Sequence, residues 1–268
     1  MINKFLFTSC VFFLILDIYG QTNSKNAYLL VKYDETYITD TMNLQKKKYD
    51  VMGLEIGKTM SRFYSISLLE NKKILEEQIK QIGGLDFTKL TTPRNRRGKE
   101  GVIYKNYETN QVTSSMENLG IFNYTFQEPT PTINWQIQTD TMRILNYPCQ
   151  KAICQFRGRN YEAWFTSDIN VSDGPWKFTG LPGLILKVVD SRGHFLFECK
   201  SIEKIDTEIL SINQKAQKIS KEQFLVLNKQ YIDNPIPFMS DGQIGFKISS
   251  DPSTLPKQFY NPMELTEK

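Results

Sequence analysis

The sequence is poor in the residues that most enzyme active sites use. Its 268 residues include one histidine, His194, and four cysteines. A serine hydrolase needs a histidine beside an activated serine, and no Gly-x-Ser-x-Gly motif occurs in the chain. With one histidine and few cysteines, the chain also has too few of the side chains that usually bind a transition metal. We interpret His194 as a turn or strand-end residue, and we assign no catalytic residue, metal or cofactor.

The sequence also lacks a phosphate-binding loop and a marked excess of one charge. No Gly-x-x-x-x-Gly-Lys-Ser/Thr motif occurs, and no helical pattern follows the glycines of GPWKFTGLPG at 174–183, so nucleotide binding has no physical basis. Lysine and arginine total 33 against 29 acidic residues, a net charge of +4. This balance indicates a soluble surface and no nucleic-acid partner.

Only the N-terminus carries a long apolar run. MINKFLFTSCVFFLILDIYGQ places Lys4 before an apolar stretch from Phe5 to Leu16, with Gly20 at a cleavage position before Gln21. This pattern is typical of a signal peptide, and the stretch is shorter than the roughly 20 residues that span a bilayer. We therefore predict a signal peptide at 1–20 and a secreted or periplasmic protein that is not integral to the membrane. A permanent anchor and a lipid-modified Cys10 are the alternatives.

Three cysteines follow the predicted cleavage site. Cys149 and Cys154 are five positions apart in a predicted strand, which separates their Cα atoms by about 16 Å and excludes a bridge between them. Cys154 and Cys199 each occupy the same alternating positions as the apolar residues of their predicted strands, so both could face one interior. An oxidising compartment favours one disulfide, and we predict Cys154–Cys199.

The remaining chain alternates in the manner of half-buried antiparallel strands. Two such runs, 151–156 and 161–166, flank Arg157-Gly158-Arg159-Asn160, and this arrangement predicts a β-hairpin. Two further runs, 184–190 and 194–205, extend the hairpin into a predicted antiparallel meander. RFYSISLL at 62–69 also reads as a strand. Helical spacing predicts amphipathic helices over 71–82, ending at Gly83-Gly84, and over 220–232, with Ser220 as N-cap. We predict a mainly β (α+β) domain over 21–233 and a largely irregular tail over 234–268.

The stretch GPWKFTGLPGLIL at 174–186 suits a turn better than a catalytic loop. Leu181-Pro182-Gly183-Leu184 fits a type II turn, with Pro setting φ and Gly accepting a positive φ. Such a turn would bring the apolar side chains on its two sides together as one wall. This wall would either line a cavity for an apolar ligand or pack against itself and leave no cavity. The candidate ligand-binding residues are Trp164, Trp176, Phe178, Leu184 and Leu186.

Acidic and thiol groups of the central hairpins supply the enzymatic alternatives. Glu162 and Asp168 would serve a glycan-processing hydrolase if their carboxyl groups lay about 5–9.5 Å apart across a cleft. Cys149 would be a nucleophile only with His194 beside it, and a partly buried free thiol is the simpler interpretation.

Three motifs carry a resemblance to a known family. GPWKF followed by Gly180, Leu181, Pro182, Gly183, Leu184 and Ile185, FRGRNYEAWFTSDI at 156–169, and YPCQKAICQF at 147–156 resemble the GLPGLI family of secreted Bacteroidetes proteins, whose function is uncharacterised. MGLEIGKTMSRFYS at 52–65 and the helix at 220–232 extend the resemblance over most of the chain.

The resemblance implies a fold and a modification but no catalytic residue. It implies a single curved antiparallel sheet or half-barrel, bowl-like and similar to LolA and LolB carriers, with two or three amphipathic helices. A similar bowl domain precedes the catalytic domain in some secreted bacterial peptide N-glycosidases. The two Asp-Thr-Met tripeptides resemble an envelope O-glycosylation motif, which makes Thr41 and Thr141 the acceptors.

Our leading hypothesis is a non-enzymatic envelope protein that binds an apolar ligand or an envelope partner. The alternatives are a glycan-processing hydrolase and a purely structural accessory of an outer-membrane complex. The last predicts a large exposed apolar patch without a cavity.

Overall fold

A computed structural model describes residues 26–84, 89, 91, 98, 101–119, 122–234 and 261–265. The predicted signal peptide lies outside the described residues, as does most of the predicted tail. The described part of the tail, 261–265, contains no helix or strand. Neither helix in the described ranges is long and apolar enough to cross a membrane.

The described chain is mainly β, as predicted, with two helices. The elements, in chain order, are β1 (Asn26–Ile38), β2 (Lys47–Gly57), β3 (Met60–Ser65), α1 (Ile66–Ile82), β4 (Val102–Asn106), β5 (Gln111–Leu119), β6 (Phe122–Pro129), β7 (Gln136–Ile144), β8 (Tyr147–Phe156), β9 (Arg159–Thr166), β10 (Leu184–Asp190), β11 (Phe195–Glu208), β12 (Gln217–Lys218) and α2 (Lys221–Asp233).

The strands form one open sheet in the order β12-β6-β5-β4-β3-β2-β1-β11-β10-β9-β8-β7. Strands β1–β6 form one antiparallel meander, and β7–β11 form a second. The second contains the meander predicted over 151–205, which is confirmed. Pairing of β1 with β11, from Asn26 opposite Glu208 to Tyr37 opposite Phe195, joins the two meanders. β12 pairs with β6 in the parallel direction.

The sheet is strongly curved. Arg157, in the turn between β8 and β9, places Nη2 2.9 Å from Oε2 of Glu128 on β6. Seven strands lie between β6 and β9 in the sheet order, so a flat sheet would hold them about 38 Å apart. Curvature therefore brings the two ends of the sheet together around a shared inner face.

Apolar side chains from both meanders meet on this inner face. The rings of Phe63 on β3 and Phe197 on β11 pack edge to face with centroids 5.9 Å apart. The Tyr33 hydroxyl on β1 donates to the Ile185 carbonyl oxygen on β10, 2.7 Å away. One core thus spans the β1–β11 junction, because neither meander can cover its own inner face.

Both predicted helices are present, and one is longer than predicted. α2 begins after Ser220 with a complete capping box, and α1 ends at Gly83, whose φ of 78° is left-handed. α1 begins at Ile66 because the Ser65 side chain accepts from the Leu68 N–H. The strand predicted over 62–69 is therefore wrong beyond Ser65.

Two turns are tighter than predicted. β8 and β9 are joined by Arg157 and Gly158 alone, with φ of 50° and 79°, instead of by four residues. These two positive φ angles are those of a type I′ hairpin. The predicted type II turn at 181–184 is also wrong: the Gly183 N–H donates to the Leu181 carbonyl oxygen, 2.8 Å away, and the Leu184 N–H donates to Ile169.

The predicted Cys154–Cys199 disulfide is also wrong. Cys149, Cys154 and Cys199 are all buried free thiols. Cys154 lies on β8 and Cys199 on β11, and β9 and β10 run between them. Three strand spacings put about 14 Å between the two cysteines, beyond the reach of a disulfide.

Thiol titration tests this arrangement. A chain lacking residues 1–20, purified without reductant and denatured, should show three free thiols, because Cys149, Cys154 and Cys199 are all free in the structure. One free thiol would mean that a disulfide forms despite the strand order.

Substitution of Gly183 tests the packing of the GLPGLIL stretch at 180–186. Gly183 has a φ of 145°, and an added Cβ would lie 2.0 Å from the Thr166 carbonyl oxygen. Gly193 has a φ of 66° with open space around it. Gly193→Ala should cost about 1–2 kcal/mol of unfolding free energy, and Gly183→Ala about 2 kcal/mol more. Urea unfolding measures both, and equal losses would contradict the close approach to Thr166.

Candidate functional site

The connection between β9 and β10, residues 167–183, contains most of the GPWKFTGLPGLIL stretch and is called the motif loop. It folds on itself: Asp173 and Thr179 form an isolated antiparallel bridge, and the Phe178 N–H donates to the Pro175 carbonyl oxygen, 3.1 Å away. Trp176 has a left-handed φ of 51°, unusual for a bulky residue. This compact loop lies against the inner face of the sheet.

Buried Asp173 anchors the motif loop to the opposite meander. Its carboxylate accepts from the Lys105 ammonium on β4 and from the Tyr107 hydroxyl, 2.5 Å away. Lys105 Nζ also donates to the Gly174 carbonyl oxygen at 2.7 Å. The Asp173 and Lys105 side chains are 0% and 3% exposed, so each charge depends on the other for neutralisation.

A second anchor is an ionic cluster of three cations and two carboxylates. Lys177 of the motif loop donates to Glu128 on β6 and to Glu264 of the C-terminal segment 261–265. Lys221, the first residue of α2, lies 3.0 Å from Glu128 and 2.6 Å from Glu264. Arg157 lies 2.9 Å from Glu128 and 3.2 Å from Glu264. Each carboxylate thus contacts all three cations.

The cluster keeps both carboxylates ionised. Burial alone would raise the pKa of Glu128, but the charges and hydrogen bonds of Lys177 and Lys221 outweigh burial and lower this pKa to about 2. The pKa of Glu264 is lowered by the same balance of burial against the two lysines. Both groups therefore carry a full negative charge at neutral pH.

A cavity of about 280 Å³, the outer chamber, lies between the motif loop, α2 and the C-terminal segment. Its wall is mostly apolar: Ile103, Met116, Phe126, Trp176, Phe195, Phe224, Leu225 and Met263. Lys177, Lys221 and Glu264 supply its charged side. The arrangement can hold a small molecule that is apolar along most of its length.

An inner chamber of about 140 Å³ adjoins the outer chamber. Four residues line both, and they form the partition: Ile103, Met116, Trp176 and Met263. The inner chamber also contacts the buried carboxyl group of Glu35 on β1.

The five residues predicted to hold an apolar ligand are not brought to one surface. Phe178, Leu184 and Leu186 are fully buried in the main core. Trp164 is 9% exposed and donates from Nε1 to Glu162 at 2.9 Å. Among the five, Trp176 alone lines the two chambers. Most of the predicted apolar wall is therefore filled by its own side chains.

The residues of the enzymatic alternatives make contacts with other parts of the structure. Glu162 on β9 is paired with Lys151 at 2.8 Å, and Asp168 follows the end of β9. The His194 ring approaches Asn261, with Nδ1 3.3 Å from Nδ2. Burial raises the pKa of the Cys149 thiol, the opposite of nucleophile activation. In the described part of the chain, no group of three or more His, Cys, Asp or Glu residues is suited to a metal ion.

The predicted glycan acceptors are accessible. Thr41, between β1 and β2, and Thr141, on the edge strand β7, are both exposed. Attachment of a glycan requires this exposure, and the modification itself stays a prediction.

Sequence reasoning missed the residues of the ionic cluster. Lys177 stands between Trp176 and Phe178 in an otherwise apolar motif, and such a lysine is a usable signal, because a buried cation needs an anionic partner. No comparable signal marks Glu128 or Glu264, which become partners only through the curvature of the sheet.

Comparison with known proteins points to one group of glycan-processing proteins. Residues 130–229 match the model of a family described as "N-glycanase peptide, N-terminal domain". The chain resembles PNGF-II solved in space group C2, with a TM-score of 0.50 and 18% identity over 75% of this chain and 32% of that chain. For PNGF-II solved in space group P21, the TM-score is 0.48 and the identity is 17%, over 75% of this chain and 33% of that chain. No curated protein matches.

The likeness to PNGF-II concerns the fold alone. The chain spans about a third of the length of those structures. At this identity, shared architecture carries no assignment of activity. What the comparison supports is a mainly β fold with a large antiparallel sheet.

The ionic cluster predicts a specific loss of stability in acid. The pKa of Glu128 is lowered in the folded state, so ionised Glu128 stabilises the fold above about pH 4.5, and this contribution is lost as the pH falls towards 2. Glu128→Gln should reduce the unfolding free energy at pH 7 and flatten its decrease between about pH 5 and pH 2. Glu108→Gln, in an exposed turn, is the control. An unchanged pH profile in Glu128→Gln would contradict the cluster.

Proposed function

We propose that the chain is an exported envelope protein that binds a small apolar ligand in the outer chamber and catalyses no reaction. The observation that supports this most directly is the outer chamber itself, where five aromatic residues line a space of about 280 Å³: Tyr37, Phe126, Trp176, Phe195 and Phe224. Small-molecule sites in proteins measure about 300–1,000 Å³ and are mostly apolar with a few placed polar groups. The outer chamber is near the lower end of this range, which favours a short ligand.

The ionic cluster favours a preformed site. Lys177, Lys221 and Glu264 connect the motif loop, α2 and the C-terminal segment, the three elements that surround the outer chamber. Because these side chains already contact one another across the three elements, the chamber walls need little rearrangement to receive a ligand. A preformed apolar cavity retains its volume when a ligand binds or leaves.

Export and family membership belong to the same proposal. The signal peptide pattern at 1–20 supports a periplasmic or secreted location, and the motif at 180–186 supports membership of the GLPGLI family. A bowl-like half-barrel similar to LolA and LolB carriers is compatible with the contact between Arg157 and Glu128. In that arrangement the motif loop partly fills the bowl, and the ligand occupies the remaining space.

A second candidate function is glycan binding as a module of glycan processing. The match of residues 130–229 to the glycanase N-terminal-domain family favours it. A groove of about 640 Å³ over β8, β9 and β10 includes Gln155, Asn160 and Glu162, with Asn134 and Gln136 at its side. Amide and carboxylate groups of this kind hydrogen-bond hydroxyl groups.

Ligand entry can be followed by NMR of the methionine methyl groups. Met116 and Met263 line both chambers, so titration with octan-1-ol should shift their signals saturably. Leu225→Trp should abolish the shifts, because the larger side chain fills the outer chamber. Val226→Trp is the matched control on α2, since Val226 is 57% exposed and does not line the chamber.

The outcome separates the two candidates. Absence of saturable shifts with octan-1-ol, or equal shifts in Leu225→Trp and the native chain, would overturn apolar-ligand binding. If N,N′-diacetylchitobiose instead shifts the side-chain amide signal of Asn160, the glycan-binding candidate is favoured.

A further inference from the structure

We propose that the ligand of the outer chamber is an anionic amphiphile, a carboxylate with a short alkyl chain whose head group binds beside Lys221. This inference rests on the proposed function, because it names the chemical class of the same ligand. Three observations carry it: the charge balance of the ionic cluster, a buried hydroxyl in the chamber that has no partner among the described residues, and the absence of a described cation from the inner chamber.

The ionic cluster has one cation more than its carboxylates neutralise. Among the described residues, two carboxylates serve three cations, and all five side chains are only 4–16% exposed. Two neighbouring charges do not alter the count inside the cluster: Arg159 is paired with Asp190 at 3.1 Å, and Glu222, which interacts electrostatically with Lys221, is exposed to solvent. A surplus buried charge is costly unless an anion compensates it. The outer chamber gives an anion access to the cluster.

Lys221 is the cation best placed to receive the anion. Lys177 is enclosed, with Nζ 5.5 Å from the ring centroids of both Phe126 and Trp176. Lys221 lines the outer chamber and is the first residue of α2. The N-terminal end of a helix carries a partial positive charge, so a lysine there adds to the local positive potential.

A free hydroxyl lies near the same place. Ser114 on β5 is 3% exposed, lines the outer chamber, and its Oγ has no hydrogen-bond partner among the described residues. Ser114 is directly opposite Phe126 in the β5–β6 pair, and Glu128 follows two residues later on β6. The hydroxyl is therefore next to the cluster, where it can donate to a carboxylate oxygen.

The lining of the inner chamber favours the alkyl chain over the head group. Among the described residues no cation lines the inner chamber, and its acidic lining residue is Glu35. A negative head group is therefore confined to the outer chamber. The alkyl chain is left to pack along Trp176 and Met263, which separate the two chambers.

Three ligands of equal chain length test the charge preference in the full chain. The ligands are octanoate, octan-1-ol and octylammonium, and their affinities are measured by methionine methyl NMR. Octanoate should bind about tenfold more tightly than octan-1-ol, because only the anion gains a charge-assisted hydrogen bond. Octylammonium should bind most weakly. Lys221→Met should reduce the affinity for octanoate to that for octan-1-ol. Lys229→Met is the control on α2, where the side chain is 73% exposed and paired with Asp233.

The two proposals fail in different ways. Equal affinities of octanoate and octan-1-ol, or a preference for octanoate that survives Lys221→Met, would overturn the anionic head group while leaving apolar binding intact. Binding of none of the three ligands would overturn the proposed function itself. If Lys221→Met does not fold, Ser114→Ala provides the test, and it should weaken octanoate several-fold without changing octan-1-ol.

Discussion

The ionic cluster around Lys177 is the interaction on which the interior of the protein depends. It connects a loop from one meander, a strand from the other, the first turn of α2 and the C-terminal segment, through contacts with Glu128 and Glu264. Breaking one partner of a buried charge pair leaves the other without compensation, so these elements hold their relative positions together. The cluster thereby holds together the elements that the curved sheet brings into contact, and its residues Lys177, Lys221 and Glu264 form the charged side of the outer chamber.

The GLPGLIL stretch at 180–186 has a packing role that explains its composition. Gly183 permits contact with the backbone of Thr166, and Leu184, Ile185 and Leu186 are all fully buried. Three consecutive buried residues require cover on both faces of β10, since neighbouring strand residues point to opposite sides. The motif loop supplies part of that cover by folding back over the strand, as the hydrogen bond from Ile185 N to Asp173 O shows.

Local structure was largely predictable from the sequence, and long-range pairing was not. The hairpin of β8 and β9, the cap at Ser220 and the helix stop at Gly83 follow from residues close together in the chain. The start of α1 was missed because Ile66–Leu69 continue an apolar run whose period does not distinguish strand from helix. Cys154 and Cys199 were paired wrongly because phase within a strand does not reveal how many strands intervene.

By itself the sequence determined which catalytic residue types are scarce, where the alternating strands of the central meander lie and where the helices end, since each depends on local composition or spacing. Only the tertiary structure decided that Trp176 borders a chamber while Phe178 is enclosed, although the two residues are almost adjacent. It also decided that Lys177 meets Glu128 and Glu264, residues 49 and 87 positions away. The physical reason is that the curvature of a sheet depends on all of its strands together, and this curvature creates both the ion cluster and the space beside it.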